Sequence, residues 1–130
     1  MAEKKAAMAL IVEDEEPIRE LLADTLWSEG YSTVEARDGL QAIALLDEMI
    51  LPTHVPCVVV LDMMLPRASG LEVLEHLKQQ AAYVPVVAMS ASLPHLAAAQ
   101  AAGTQATLAK PFDLNQLVAA VEQCAAPATN

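Results

Sequence analysis

Pro56–Gly70, PCVVVLDMMLPRASG, decides the fold, because the apolar run Cys57 to Leu61 ends abruptly in one carboxylate, Asp62. A short run rich in valine, with no polar alternation, is the pattern of a strand buried on both faces, as in a parallel sheet. Open parallel sheets bind ligands in the crevice beyond the carboxyl ends of their strands, so Asp62 is placed at the functional edge. Leu65-Pro66 then keeps the backbone extended, and Ser69-x-x-Glu72 is a capping-box signature that starts a helix.

Working outward, the same strand-then-helix unit recurs. Upstream, Met8 to Val12 is an apolar run closed by Glu13, Asp14, Glu15 and Glu16, with Pro17 in the first turn of a helix, where its missing N–H costs nothing. That helix carries Ile18, Leu21, Leu22, Thr25 and Leu26 at helical spacing and stops at Gly30. Trp27 lies beside this stripe and reads as a packing residue. Tyr31 to Ala36 is a second strand, and Asp38-Gly39 opens a second helix bearing Leu40, Ile43, Leu46 and Ile50.

Downstream, Leu71, Leu74 and Leu77 line a third helix, and Val84 to Met89 is a fourth strand ending at Ser90. Pro85 favours an unpaired or edge position for the first residues of that strand. Leu93 to Ala102 is an Ala-rich fourth helix closed by Gly103, and Ala106 to Ala109 a brief fifth strand before Lys110-Pro111-Phe112. Asp113 caps a last helix with Leu114, Leu117, Val118 and Val121 on one stripe. Strict alternation of strand and helix implies right-handed crossovers and an α/β parallel sheet.

The length of 130 residues suits one domain spanning 1–130, with a core from about 8 to 125 and short flexible tails. A net charge of -10, from 7 basic and 17 acidic residues, argues against direct binding to nucleic acid, which needs clustered Lys and Arg. Lys4-Lys5 and Arg67 read as solvated surface. No apolar run approaches the roughly 18 residues of a membrane helix, and the N-terminus lacks a secretory cleavage pattern, so a cytoplasmic location is expected. Cys57 and Cys124 have neither disulfide nor metal spacing and read as buried reduced thiols. His54, His76 and His95 are dispersed and read as surface histidines.

Glu13 and Asp14 follow strand one, Asp62 ends strand three, Ser90 ends strand four and Lys110 follows strand five. A parallel sheet therefore gathers all of them at one edge. On the segments LIVEDEEPIRELL, VVVLDMMLPRASGLEVL, VVAMSAS and LAKPF, the chain resembles the receiver domains of bacterial two-component response regulators, related to the single-domain chemotaxis receiver. The resemblance covers about Met8 to Cys124. It implies a flavodoxin-like (βα)5 three-layer sandwich with strand order 2-1-3-4-5.

By the same resemblance, Asp62 is the phosphoacceptor, and Glu13, Asp14, Asp62 and the backbone carbonyl of Met64 serve Mg²⁺ or Mn²⁺. Ser90 is the switch hydroxyl, the Ala91 backbone and Lys110 bind phosphate, and the Lys110-Pro111 peptide is cis. The implied function is a phosphoacceptor switch with no catalysis beyond its own phosphoryl transfer and autodephosphorylation. It would be charged by a histidine kinase or histidine phosphotransfer protein and act on a downstream protein target, as a monomer or a weak phosphorylation-dependent dimer.

The chemistry agrees: Mg²⁺ is usually held by one or two carboxylates plus phosphate oxygens, and a carboxylate is a competent nucleophile toward phosphorus. Two departures from the family pattern stand out. Thr107 occupies a position usually aromatic, leaving room beneath helix four, and Met64 and Ser92 occupy positions that tune hydrolysis of the acyl phosphate. Two other readings stay open. One is a non-phosphorylated adaptor, which would tolerate loss of an acid or the lysine. The other is an aspartyl-phosphate phosphohydrolase, which carries an acid where this chain has Met64.

Overall fold

A computed structural model describes residues 7–49, 55–80 and 83–125. The expectations for the two tails, for Lys4-Lys5, for Ile50 and for His54 fall outside these ranges. Strands β1 (Met8–Val12), β2 (Ser32–Ala36), β3 (Val58–Asp62), β4 (Val86–Ser90) and β5 (Ala106–Ala109) alternate with helices α1 (Glu16–Ser28), α2 (Gly39–Met49), α3 (Gly70–Lys78), α4 (Leu93–Ala101) and α5 (Leu114–Ala125). All strand pairs are parallel, in the order β2-β1-β3-β4-β5.

Every residue of β3 and of β4 is buried, as helices on both faces of a parallel sheet require. Side chains alternate between the two cores with the period of a strand. Leu10, Val59, Leu61 and Ala88 pack with Leu46 of α2, Leu74 of α3 and Ala99 of α4. Ile11, Val58, Val60 and Met89 pack on the other face with Leu22 of α1 and Leu117 of α5.

The helix starts follow local chemistry. Ser69 Oγ accepts from Glu72 N–H at 3.2 Å while Glu72 Oε1 accepts from Ser69 N–H at 3.3 Å, a reciprocal cap at α3. Asp113 and Gln116 form the same reciprocal pair at α5, at 2.9 and 3.0 Å. Gly30 and Gly103 end α1 and α4 with φ of 100° and 98°, a conformation that costs other residues a Cβ clash.

Several expectations need correction. Trp27 is 67% exposed: one residue beyond the fully buried Leu26, it has turned about 100° along the helix and left the core. Leu21, Leu40 and Leu71 are likewise 40–50% exposed, on the flanks of their stripes. Cys57 and Cys124 are unpaired but only half-buried, and burial raises both thiol pKa values. Strand four begins at Val86, after Pro85, and is not an edge; the Pro85 carbonyl accepts from Val59 N–H at 2.9 Å.

Candidate functional site

The carboxyl ends of β1, β3, β4 and β5 meet at one edge. Glu13 follows the last residue of β1, and its N–H donates to Ala36 O at 3.1 Å, continuing the β1–β2 ladder by one step. That step carries its side chain inward, where it is 0% exposed. Both carboxylate oxygens find donors: Oε1 accepts from Lys110 Nζ at 2.8 Å and Oε2 from Glu15 N–H at 3.2 Å. Arg19, one turn into α1, donates to the Glu13 carbonyl at 3.0 Å and pairs with Glu35 of β2 at 3.2 Å. The sequence reading missed Arg19, since an arginine on an acidic helix carries no local sign of which carbonyl it will meet.

Asp62 is the last residue of β3 and is 5% exposed. One oxygen, Oδ1, accepts from Met64 N–H at 3.0 Å; the other, Oδ2, accepts from Lys110 Nζ at 3.1 Å. Lys110 leaves β5 through a backbone bond, its N–H donating to Ser90 O at 2.9 Å, and is followed by a cis peptide to Pro111. One ammonium thus joins two buried carboxylates from different strands.

Asp14 is exposed at the rim, but one of its carboxylate oxygens lies within 4.8 Å of oxygens of both Glu13 and Asp62. Three convergent carboxylates suit a hard divalent cation such as Mg²⁺, which takes oxygen ligands.

The electrostatics are lopsided within the pair. Burial pushes the Glu13 pKa above its usual value of 4.5; the Lys110 hydrogen bond opposes this, and the Asp62 charge reinforces it. Burial alone would lower the Lys110 pKa, but the Glu13 hydrogen bond and the charges of Asp62 and Glu13 outweigh it and raise it. Glu13 has no solvent contact and Lys110 retains 22%, so desolvation wins for the acid and attraction wins for the base.

Ser90 is 1% exposed at the end of β4, one step beyond Met89, which pairs with Asp62. Its hydroxyl oxygen accepts from Ser92 N–H at 3.0 Å. Ser92 caps α4, accepting from His95 N–H at 3.4 Å and meeting His95 Nδ1 at 2.7 Å. Ala91 lies exposed between them, and the Met64 side chain is 54% exposed. Thr107 pairs with Ala88 in the ladder, and its side chain is exposed. Of the other histidines, His76 bridges α3 to Asp47 of α2 at 2.7 Å.

Arg67 is more than solvated surface. Its φ is 75°, and its guanidinium Nε lies 3.7 Å from Asp38 Oδ2 at the start of α2. The sequence carries no mark of that conformation, because the residue is not a glycine.

A family model described as "Response regulator receiver domain" matches residues 9–122. Among curated proteins, Response regulator MprA of Mycobacterium sp. (strain KMS) is 37% identical over 112 residues, covering 85% of this chain and 46% of that protein. Regulator of RpoS from Escherichia coli (strain K12) is 37% identical over 121 residues, covering 91% of this chain and 34% of that protein. The chain therefore spans less than half the length of these relatives. The solved receiver domain of NtrX from Brucella abortus superposes with a TM-score of 0.80 at 31% identity, covering 90% of this chain and 97% of that one. A response regulator structure from Chloroflexus aurantiacus superposes with a TM-score of 0.83 at 25% identity, covering 93% and 98%.

Proposed function

Because the chain belongs to the response regulator receiver domain family, we propose that Asp62 accepts a phosphoryl group and that the charged domain switches a protein–protein contact. Receiver domains are typically signalling modules rather than enzymes, and no described helix is long and apolar enough to cross a membrane. The observation that carries the reading is Lys110 Nζ, 3.1 Å from Asp62 Oδ2 and 2.8 Å from Glu13 Oε1, beside a third carboxylate.

In this proposal an Asp62 oxygen attacks phosphorus, a P–O bond forms, and the bond to the donor breaks with its electron pair leaving on the donor. Lys110 is placed to follow the transferred oxygens and offset their charge. Asp14 and Asp62, with Glu13 through water and the Met64 carbonyl, would hold Mg²⁺ or Mn²⁺, which supplies charge neutralisation when bound. The Ala91 backbone would donate to the phosphoryl group. The donor is a histidine kinase or a histidine phosphotransfer protein and the target another protein, in the cytoplasm. The domain acts as a monomer or a weak dimer formed on phosphorylation.

Incubation with acetyl phosphate and Mg²⁺ is expected to add one phosphoryl group, mapped to Asp62 by peptide mass analysis. Asp62→Asn or excess chelator should abolish it. Undiminished labelling of Asp62→Asn would remove Asp62 from the role, and undiminished labelling of wild type in excess chelator would remove the metal requirement.

The switch has a local physical basis. Ser90 Oγ accepts from Ser92 N–H, which leaves its O–H to donate to a phosphoryl oxygen, and Ser92 is the cap of α4, so a pull on the Ser90 hydroxyl is felt at the start of that helix. A charge-assisted bond to phosphate is about twice as strong as a neutral one, so it can supply that pull. Beryllofluoride, a phosphoryl mimic, should therefore shift backbone amides from Ser90 to Gly103. In Ser90→Ala that response should be largely lost. An equal response in the variant would place the trigger elsewhere.

A further inference from the structure

The loop that follows Asp62 is held in a conformation its own residues do not favour. Ala68 N–H bonds Pro66 O at 2.9 Å, closing a γ-turn around Arg67 at φ 75°. Turns of that hand are rare and strained, and a strained non-glycine backbone persists only where its surroundings over-determine it.

The surroundings that do so lie on α2. Gly39 has no Cβ, and one built there would stand 1.9 Å from the Ala68 carbonyl oxygen and 2.7 Å from the Ala68 Cβ. The loop backbone thus occupies the space of the missing side chain. Ala68 is 4% exposed, so it is covered on its other sides as well. Beside it, the 9% exposed Asp38 accepts from Gln41 N–H through Oδ1 at 2.7 Å and turns Oδ2 toward Arg67. At the far end, Gly70 lets Met63 Cα approach, and its N–H donates to Met63 O at 3.3 Å. Met64 lies between these anchors, and its N–H is the donor on Asp62 Oδ1.

We propose that Gly39 and Asp38 are positioning residues for Asp62. By seating the 63–70 loop against α2, they hold the Met64 amide where it fixes one carboxylate oxygen while Lys110 fixes the other. A nucleophile gains from being held in an attack geometry, and displacement of about 1 Å by a distant substitution costs about 100-fold in rate. The inference rests on Asp62 as the phosphoacceptor.

The test is Gly39→Ala in the full chain. The variant should keep its far-UV circular dichroism and shift the Met64 amide resonance in the unphosphorylated state. It should be labelled by acetyl phosphate about 10- to 100-fold more slowly at saturating Mg²⁺. Wild-type labelling, or a lowered melting temperature with the Met64 amide unmoved, would overturn the proposal. If Gly39→Ala does not fold, Asp38→Ala replaces it, removing the Arg67 partner without adding bulk. That variant should show faster Met64 amide exchange and several-fold slower labelling, and wild-type values of both would equally overturn the proposal. A wild-type protein that takes no label at Asp62 would refute the phosphoacceptor reading, while the Met64 amide would still decide whether the corner positions Asp62.

Discussion

Lys110→Ala is expected to destabilise the metal-free protein by about 3 kcal/mol at neutral pH, the low end of the cost of breaking a buried ion pair. The low end applies because Lys110 keeps 22% of its side-chain exposure and Glu13 can respond by taking up a proton. The sign with pH follows from Glu13, whose pKa is raised by burial above 4.5 and would rise further without the Lys110 hydrogen bond. A carboxyl with a raised folded-state pKa contributes stability that is fully present below its unfolded value and lost as pH rises through the folded one.

The gap between variant and wild type should therefore be smallest below pH 4.5, where Glu13 is protonated in both, and widen toward neutrality. Added Mg²⁺ should stabilise Lys110→Ala more than wild type, since it replaces the missing positive charge among three carboxylates. Urea unfolding at both pH values, with and without Mg²⁺, reads all of this. A loss independent of pH, together with equal gains from Mg²⁺, would show that Lys110 does not offset the acids.

Leu61→Ala should cost about 3 kcal/mol, measured as a fall in the urea midpoint at unchanged slope. Leu61 is fully buried in the central strand, beside Leu10 and Val12 of β1 and Ala88 of β4, and cannot be replaced by rearrangement of a loop. Leu21→Ala and Trp27→Ala should each cost far less, within about 0.5 kcal/mol for Trp27 and about 1 kcal/mol for Leu21, because solvent already wets 67% of Trp27 and 50% of Leu21. Losses of several kcal/mol at Trp27 would mean that its ring is covered in solution.

Those three residues also separate what is local from what is not. Leu61 belongs to an uninterrupted apolar run, and such a run can only be accommodated with both faces covered, so its burial was legible without any partner in view. Trp27 and Leu21 lie on the flanks of an amphipathic stripe. Periodicity identifies the centre of such a stripe, but its edges depend on how far α5 and β2 extend over α1, which is a matter of packing between distant segments.

The candidate site divides the same way. The sequence by itself determined the strand ends, because each apolar run stops at a charged or hydroxyl residue, and alternation with helices makes those ends converge on one edge. It also determined the caps of α3 and α5, where donor and acceptor are three residues apart. Only the tertiary structure decided which charges meet. Lys110 and Glu13 are 97 residues apart, and their contact depends on the parallel register across β1, β3, β4 and β5. Only the tertiary structure, too, brought Gly39 beneath Ala68 and held Arg67 at positive φ, since a glycine's missing side chain acquires meaning only when another backbone fills its place.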